Sequence, residues 1–164
     1  MEDKKEENRD KKLALLKDID AFPAGKTVEN TTVIQIVMFL KGIHEKWKQF
    51  APVPDKDFQD LNNKFKASRD AVNKLLEQVE IHNRSLKEGV IEEVKNLSKE
   101  DIDASVQKIR ELQEHWRTLG PAGKKLDPEV NLKFEQVCDE FLRIKDKELF
   151  IFNPQKFITY LFKF

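Results

Sequence analysis

Apolar residues recur at helical spacing along most of the chain, so the sequence predicts helices throughout. The first helix is predicted over residues 8–22, after a solvent-exposed start at 1–7, and its apolar residues are Leu13, Leu15, Leu16 and Ile19. The second helix is predicted over residues 30–50. Its apolar positions alternate in steps of four and three, the spacing of a helix that packs on one side: Ile36, Leu40, Ile43, Trp47 and Phe50.

The third predicted helix is the longest and covers residues 57–96. No proline interrupts its apolar stripe, which includes Phe58, Leu61, Phe65, Ser68, Val72, Leu75, Val79, His82, Leu86, Val90 and Val94. Asp55 or Asp57 is the expected N-cap, and Gly89 is either a tolerated flaw or a bend. At about 1.5 Å per residue, such a helix is roughly 60 Å long.

Two further helices and a short tail follow. Ser98 to Asp101 has the pattern of a capping box, which predicts the start of a fourth helix that ends at Gly120. Asp127 as N-cap and Pro128 at the first helical position predict a fifth helix that reaches Phe152. The apolar positions of these two helices are Ile102, Val106, Ile109, Leu112, Trp116 and Leu119, then Val130, Phe134, Val137, Phe141 and Ile144.

The turns after the second and fourth helices resemble each other, which indicates an internal repeat. A shift of 69 positions aligns residues 37–72 with 106–141 without a gap, and nine of the 36 aligned positions are identical. A weaker similarity, at a shift of 75, joins Asn8-Arg9 to Asn83-Arg84. The motif residues are Trp47, Pro52 and Phe65 in the first copy, and Trp116, Gly120, Pro121 and Phe134 in the second. We expect each tryptophan to be buried against the phenylalanine of its own copy.

The repeat predicts an all-α fold of two tandem three-helix units that share the long central helix. The third helix of the first unit continues into the first helix of the second, as in spectrin-like arrays, so we expect coiled-coil-like packing and an elongated molecule. The predicted organisation is a first unit at 1–82, a second unit at 83–152 and an aromatic-rich tail at 153–164.

The second copy resembles a bacterial repeat family known as domain of unknown function 349. The resemblance is carried by residues 112–121, Lys124-Lys125, Phe134 and residues 138–141. The first copy departs from this pattern, because Ala51 replaces the glycine, Asp55 replaces a basic residue and Val72 replaces the last aromatic residue. The resemblance implies an all-α repeat fold and a bacterial cytoplasmic protein, and it implies no reaction.

Charge and composition narrow the possible functions. Thirty basic residues balance thirty acidic residues, which removes the general electrostatic argument for binding nucleic acid or an anionic membrane. A local excess remains between Lys41 and Lys74, where eight basic residues face five acidic ones. We expect a cytoplasmic protein, because the sequence shows one cysteine, no secretory signal pattern and no apolar run long enough to cross a membrane.

No group of residues specifies a reaction, a cofactor or a metal. His44, His82 and His115 are scattered, without further ligands at metal-binding spacing, and no residue is spaced to activate Cys138. The segment from Gly120 to Lys124 lacks the glycine spacing of a phosphate-binding loop. We therefore expect a protein without enzymatic activity, cofactor or small-molecule substrate.

The first copy carries additional apolar residues that suggest an interaction surface. Met38 and Phe39 stand where the second copy has polar residues. They are either covered by the first helix or by the tail, or they form a surface for a partner or a second copy. The tail adds four candidate surface residues: Phe157, Ile158, Leu161 and Phe162.

These patterns favour a helical scaffold or protein-interaction module, with self-association through the tail. The alternative is a nucleic-acid-associated or ribosome-associated protein that uses the basic part of the first unit, and an enzyme is the third option.

Overall fold

The computed structural model describes the backbone of residues 1–152 and the side chains of residues 1–147. Within this part the chain contains α-helices and no β-strand: α1 Glu2–Ala21, α2 Val33–Gln49, α3 Asp55–Lys95, α4 Ile102–Thr118 and α5 Asp127–Phe152. The prediction of an all-α fold is confirmed for these residues. None of their helices has the length and hydropathy that a bilayer-spanning segment needs.

The chain forms two compact units, and the boundary between them falls after His82. In the first unit, α1 packs against α2, and residues 55–82 of α3 complete the core. In the second unit, α4 packs against α5, and residues 83–95 of α3 complete the core. Fully buried side chains at the two centres are Ile19, Ile36, Val72 and Val79 in the first, and Val94, Ile109 and Phe141 in the second.

The first helix begins earlier than its apolar pattern predicts. α1 starts at Glu2, so the predicted helix start at Asn8 is six residues too late, whereas most of residues 1–7 are exposed as predicted. Glu2 and Asp3 occupy the first turn, where the helix dipole favours negative charge. Glu7 forms ion pairs with Lys4 and Lys11, at the three- and four-residue spacings that stabilise a helix without any buried surface.

The buried faces of α1 and α3 contain lysines where the sequence pattern predicted leucines. Lys12 is buried and Leu13 is exposed, and in the same way Lys87 is buried and Leu86 is exposed. Phe58, another predicted stripe residue, is also exposed. A lysine can bury its aliphatic stem beside an aromatic ring, so a search for apolar residues alone misses such positions.

The long third helix is confirmed. α3 runs without interruption from Asp55–Lys95, and both Asp55 and Asp57 lie in its first turn. Gly89 lies inside this helix, and nothing lies within 4 Å of the position that a Cβ atom would occupy there. Gly89 is therefore a tolerated flaw that no packing contact requires.

The N-caps of α4 and α2 were not identified by the sequence pattern. The N-cap of α4 is Asp101, whose side chain accepts a hydrogen bond from the Ala104 N–H, so the capping box predicted to begin at Ser98 is wrong. α2 has a complete capping box that the sequence reading missed, formed by Thr32 and Gln35. A carboxylate is a strong acceptor for the free N–H groups of a first turn, which explains the preference for Asp101.

Candidate interaction surface

Each predicted tryptophan–phenylalanine pair is in contact. The ring centroids of Trp47 and Phe65 lie 4.2 Å apart with planes at 10°, and those of Trp116 and Phe134 lie 4.0 Å apart with planes at 4°. Trp47 is buried and its Nε1 donates a hydrogen bond to Asn62 Oδ1. Trp116 is only partly buried, although it packs against the core of its unit. Each stack joins the last turn of one helix to the next helix, at the third turn of α3 for Phe65 and at the end of the second turn of α5 for Phe134.

An asparagine holds the proline turn in each unit. Asn8 Nδ2 donates a hydrogen bond to the Pro52 carbonyl oxygen at 2.9 Å, and Asn83 Nδ2 donates one to the Pro121 carbonyl oxygen, also at 2.9 Å. These bonds satisfy carbonyl groups that have left the helical pattern. The weaker sequence similarity between Asn8 and Asn83 therefore corresponds to the same structural role in both units.

A lysine covers the tryptophan in each unit. Lys12 Nζ lies 4.3 Å from the ring centroid of Trp47, and Lys87 Nζ lies 5.4 Å from that of Trp116. The exposed fractions of the two lysines are 4% and 6%. Sequence reasoning missed both residues, although they follow the two asparagines at the same distance and could have been found by extending the shift of 75 positions.

The two lysines differ in their charge partners. Lys87 Nζ donates to Asp127 Oδ1 at 2.9 Å, and the same oxygen accepts a hydrogen bond from the Ala122 N–H at 2.9 Å. The predicted N-cap role of Asp127 is thus wrong, because its carboxylate turns towards the lysine. The residue aligned with Asp127 in the first unit is Phe58. Within the described residues Lys12 forms no ion pair and no hydrogen bond, and burial lowers its pKa.

Gly120 leaves room for the Asn83 side chain, which holds the proline turn of the second unit. A Cβ atom at this position would lie 2.5 Å from Asn83 Nδ2, closer than any real contact of that kind. The first unit has Ala51 at the aligned position. The glycine of the motif is therefore needed to make space for the asparagine side chain in the second copy.

A patch of exposed apolar side chains lies on α2. It consists of Ile34, Val37 and Met38, whose exposed fractions are 65%, 46% and 69%. Their spacing places them on one side of the helix. We call this surface the α2 patch. For Phe39 the structure confirms the first of the two alternatives, cover by the first helix: its ring stacks on that of Phe22, the C-cap of α1, with centroids 3.7 Å apart. Its place among the candidate surface residues is therefore wrong.

The α2 patch has no counterpart in the second unit. Ile34 aligns with Asp103 and Met38 aligns with Gln107. The sequence comparison identified Met38 and missed Ile34, which lies three positions before the aligned residues 37–72 and would have been found by extending the same shift. The four candidate residues of the tail, Phe157, Ile158, Leu161 and Phe162, lie outside the described residues.

The chemical groups of the described residues show no arrangement for metal binding or nucleophilic attack. No cluster of three or more histidine, cysteine or acidic side chains in this part of the chain is placed to hold a metal ion. Cys138 is buried, and desolvation together with the nearby Asp139 raises its pKa to about 11, against a weaker opposing hydrogen bond from Gln113. Its thiol is therefore protonated at neutral pH, and a thiol is a poor nucleophile.

Comparison with known proteins gives one match. Residues 55–125 match the model of a family described as Domain of Unknown Function (DUF349). The matched part contains α3, α4 and the following turn, and so includes Trp116, Gly120 and Pro121. This match supports the family resemblance over residues 55–125, and it does not delimit two copies. No curated protein and no solved structure matches the chain.

Proposed function

We propose that the chain is a non-enzymatic, cytoplasmic helical module that binds a protein partner through the α2 patch. The observation that carries this proposal is the exposure of Ile34, Val37 and Met38 on one side of a helix. Scattered exposed apolar residues are common on protein surfaces, whereas a contiguous group marks an interaction site more often.

The proposal includes a repeat of two three-helix units. Each unit has an asparagine on the proline turn, a lysine over a tryptophan and a phenylalanine stacked on that tryptophan. These contacts are made by residues that the two sequence shifts align. Two units with the same core contacts can differ in their surface residues, and the α2 patch is a surface difference of this kind.

The repeat itself supplies a conservative test of the α2 patch. Replacing Ile34→Asp and Met38→Gln gives the first unit the residues of the second, and both positions are exposed, so stability should change by no more than about 0.5 kcal/mol. We expect the double variant to lose the partner that the wild-type protein retains in a pull-down from the source organism with nuclease treatment.

A matched control removes an exposed apolar side chain elsewhere. Leu132 on α5 has an exposed fraction of 53%, close to that of the patch residues. Leu132→Gln should retain the partner. Equal retention by the wild type, the double variant and the control would contradict the proposal, provided that circular dichroism shows all three to be folded.

A second candidate function is nucleic-acid binding by the first unit. The observation in its favour is that six exposed lysines between residues 41 and 74 form no ion pair within the described residues: Lys41, Lys46, Lys48, Lys56, Lys66 and Lys74. Free cations of this kind contact phosphates and release counterions. Binding to cellular RNA that weakens steeply with salt, and that Ile34→Asp with Met38→Gln leaves unchanged, would favour this candidate over the α2 patch.

A further inference from the structure

The first unit contains a buried lysine that forms no ion pair with a carboxylate of the described residues. Lys12 is 4% exposed, and its ammonium group lies beside the Trp47 ring. Burying an ammonium group without a counter-charge is costly. In the second unit that cost is offset, because Asp127 lies 2.9 Å from Lys87.

The turns around the two lysines share one backbone hydrogen bond, although the Ala51–Pro52 peptide bond is cis and Gly123, which aligns with Pro54, has a φ of 101°. The Asp57 N–H donates to the Pro54 carbonyl at 3.0 Å, and at the aligned positions Leu126 N–H donates to the Gly123 carbonyl at 3.1 Å. Phe58 and Asp127 are both helical, and each lies seven residues before the phenylalanine that stacks on the tryptophan of its unit. Phe58 therefore occupies the position from which the second unit supplies its acid.

The neighbouring charged groups do not replace that acid. Asp57 Oδ2 lies 3.8 Å from Arg9 Nη1, and this oxygen is enclosed and has no hydrogen-bond partner. No ion pair joins Asp57 to Lys12 in the described structure. Lys12 Nζ itself is not among the enclosed side-chain atoms without a partner, so it keeps a path to solvent.

We propose that Lys12 and Phe58 form a binding site for an acidic side chain of a partner protein, flanked by an apolar residue. The incoming carboxylate would pair with Lys12 as Asp127 pairs with Lys87. The ring of Phe58 is 54% exposed, so it offers apolar contact area beside the charge. A free carboxylate such as acetate would pair with Lys12 and make no apolar contact with Phe58. The inference stands apart from the α2 patch, and either can fail without the other.

The site can be tested with a short peptide and matched variants. The probe is acetyl-Leu-Asp-Leu-amide, observed through the NMR signals of the Lys12 side chain and the Trp47 indole. We expect it to shift both signals, whereas the peptide with Asn in place of Asp and free acetate should each bind at least about tenfold more weakly. Acetate binding as tightly as the peptide would overturn the proposal.

A second test places an acidic residue at position 58, where the second unit has Asp127. Phe58→Asp should pair with Lys12, raise the pKa of the lysine and abolish the response to the peptide, whereas Phe58→Asn should leave the pKa of Lys12 as it is in the wild type. A full peptide response in Phe58→Asp would overturn the proposal. So would a fall in the pKa of Lys12 on Asp57→Asn, because Asp57 would then be the existing partner.

Discussion

Removing the charge of either covered lysine should have unequal effects in the two units. The substitutions are Lys12→Met and Lys87→Met, which keep a long unbranched side chain against the tryptophan and remove the ammonium group. The side chain of Lys87 is 7% exposed and that of its partner Asp127 is 24% exposed. Lys12 has no such partner among the residues whose side chains the structure describes, so we expect only Lys87→Met to leave a carboxylate without its counter-charge.

The expected magnitudes follow from these exposures. Removing one member of a fully buried ion pair costs about 3–5 kcal/mol, and of a surface pair about 0–1 kcal/mol. Because Asp127 keeps the hydrogen bond from Ala122 and some solvent, Lys87→Met should cost about 1–3 kcal/mol. Lys12→Met gives up a cation–π contact of about 0.5–2 kcal/mol and gains relief from desolvation, so it should stay within about 1 kcal/mol of the wild type.

The assay uses the single tryptophan of each unit. In a Trp116→Phe background, urea unfolding followed by fluorescence reports on Trp47 and the first unit; in a Trp47→Phe background it reports on Trp116 and the second unit. Each lysine variant is compared with its own background. A cost for Lys12→Met equal to or larger than that for Lys87→Met would refute the reasoning, because it would show that Lys12 has a charge partner of its own.

Three further substitutions test individual contacts. Gly120→Ala should destabilise the second unit by about 1–3 kcal/mol, because the new Cβ displaces Asn83 from the Pro121 carbonyl; combining it with Asn83→Ala should cost less than the sum of the two single changes in urea unfolding. The pKa of Cys138 rises on folding from 9.0 to about 11, so the folded state holds its proton where the unfolded state loses it. Stability should therefore fall by roughly 2–3 kcal/mol as the pH rises from about 9 to about 11, and Cys138→Ala should remove this dependence in unfolding curves measured across that range. Gly89→Ala should raise stability by up to about 1 kcal/mol, measured as a higher urea midpoint, and a lower midpoint would show that the glycine is needed.

The helices were predictable from sequence because their apolar periodicity is strong and breakers are few. The long helix α3 was predicted to within two residues at its start and one at its end, and the contacts of Trp47 and Trp116 with their phenylalanines followed from the repeat. The start of α1 was missed because charged residues alone stabilise it. Its acidic first turn and its ion pairs leave no apolar signature.

The lysine contacts were not predictable from the apolar pattern. Lys12 and Lys87 lie on buried faces because their stems cover tryptophan rings, and hydropathy ranks them with exposed residues. Whether each has an acid partner depends on a carboxylate from a different helix, as Asp127 shows. For Phe39 the comparison of the copies left cover by the first helix and exposure to a partner both open, because no local pattern connects Phe39 to Phe22 at the end of α1.

A photo-crosslinking residue at position 38 tests whether the α2 patch binds a protein. The same residue at position 132 is the control, since Leu132 has a similar exposure and lies on α5. We expect irradiation in cells of the source organism to give a discrete protein adduct from position 38 and none from position 132. The same adducts from both positions, or only nucleic-acid adducts from position 38, would contradict the proposal.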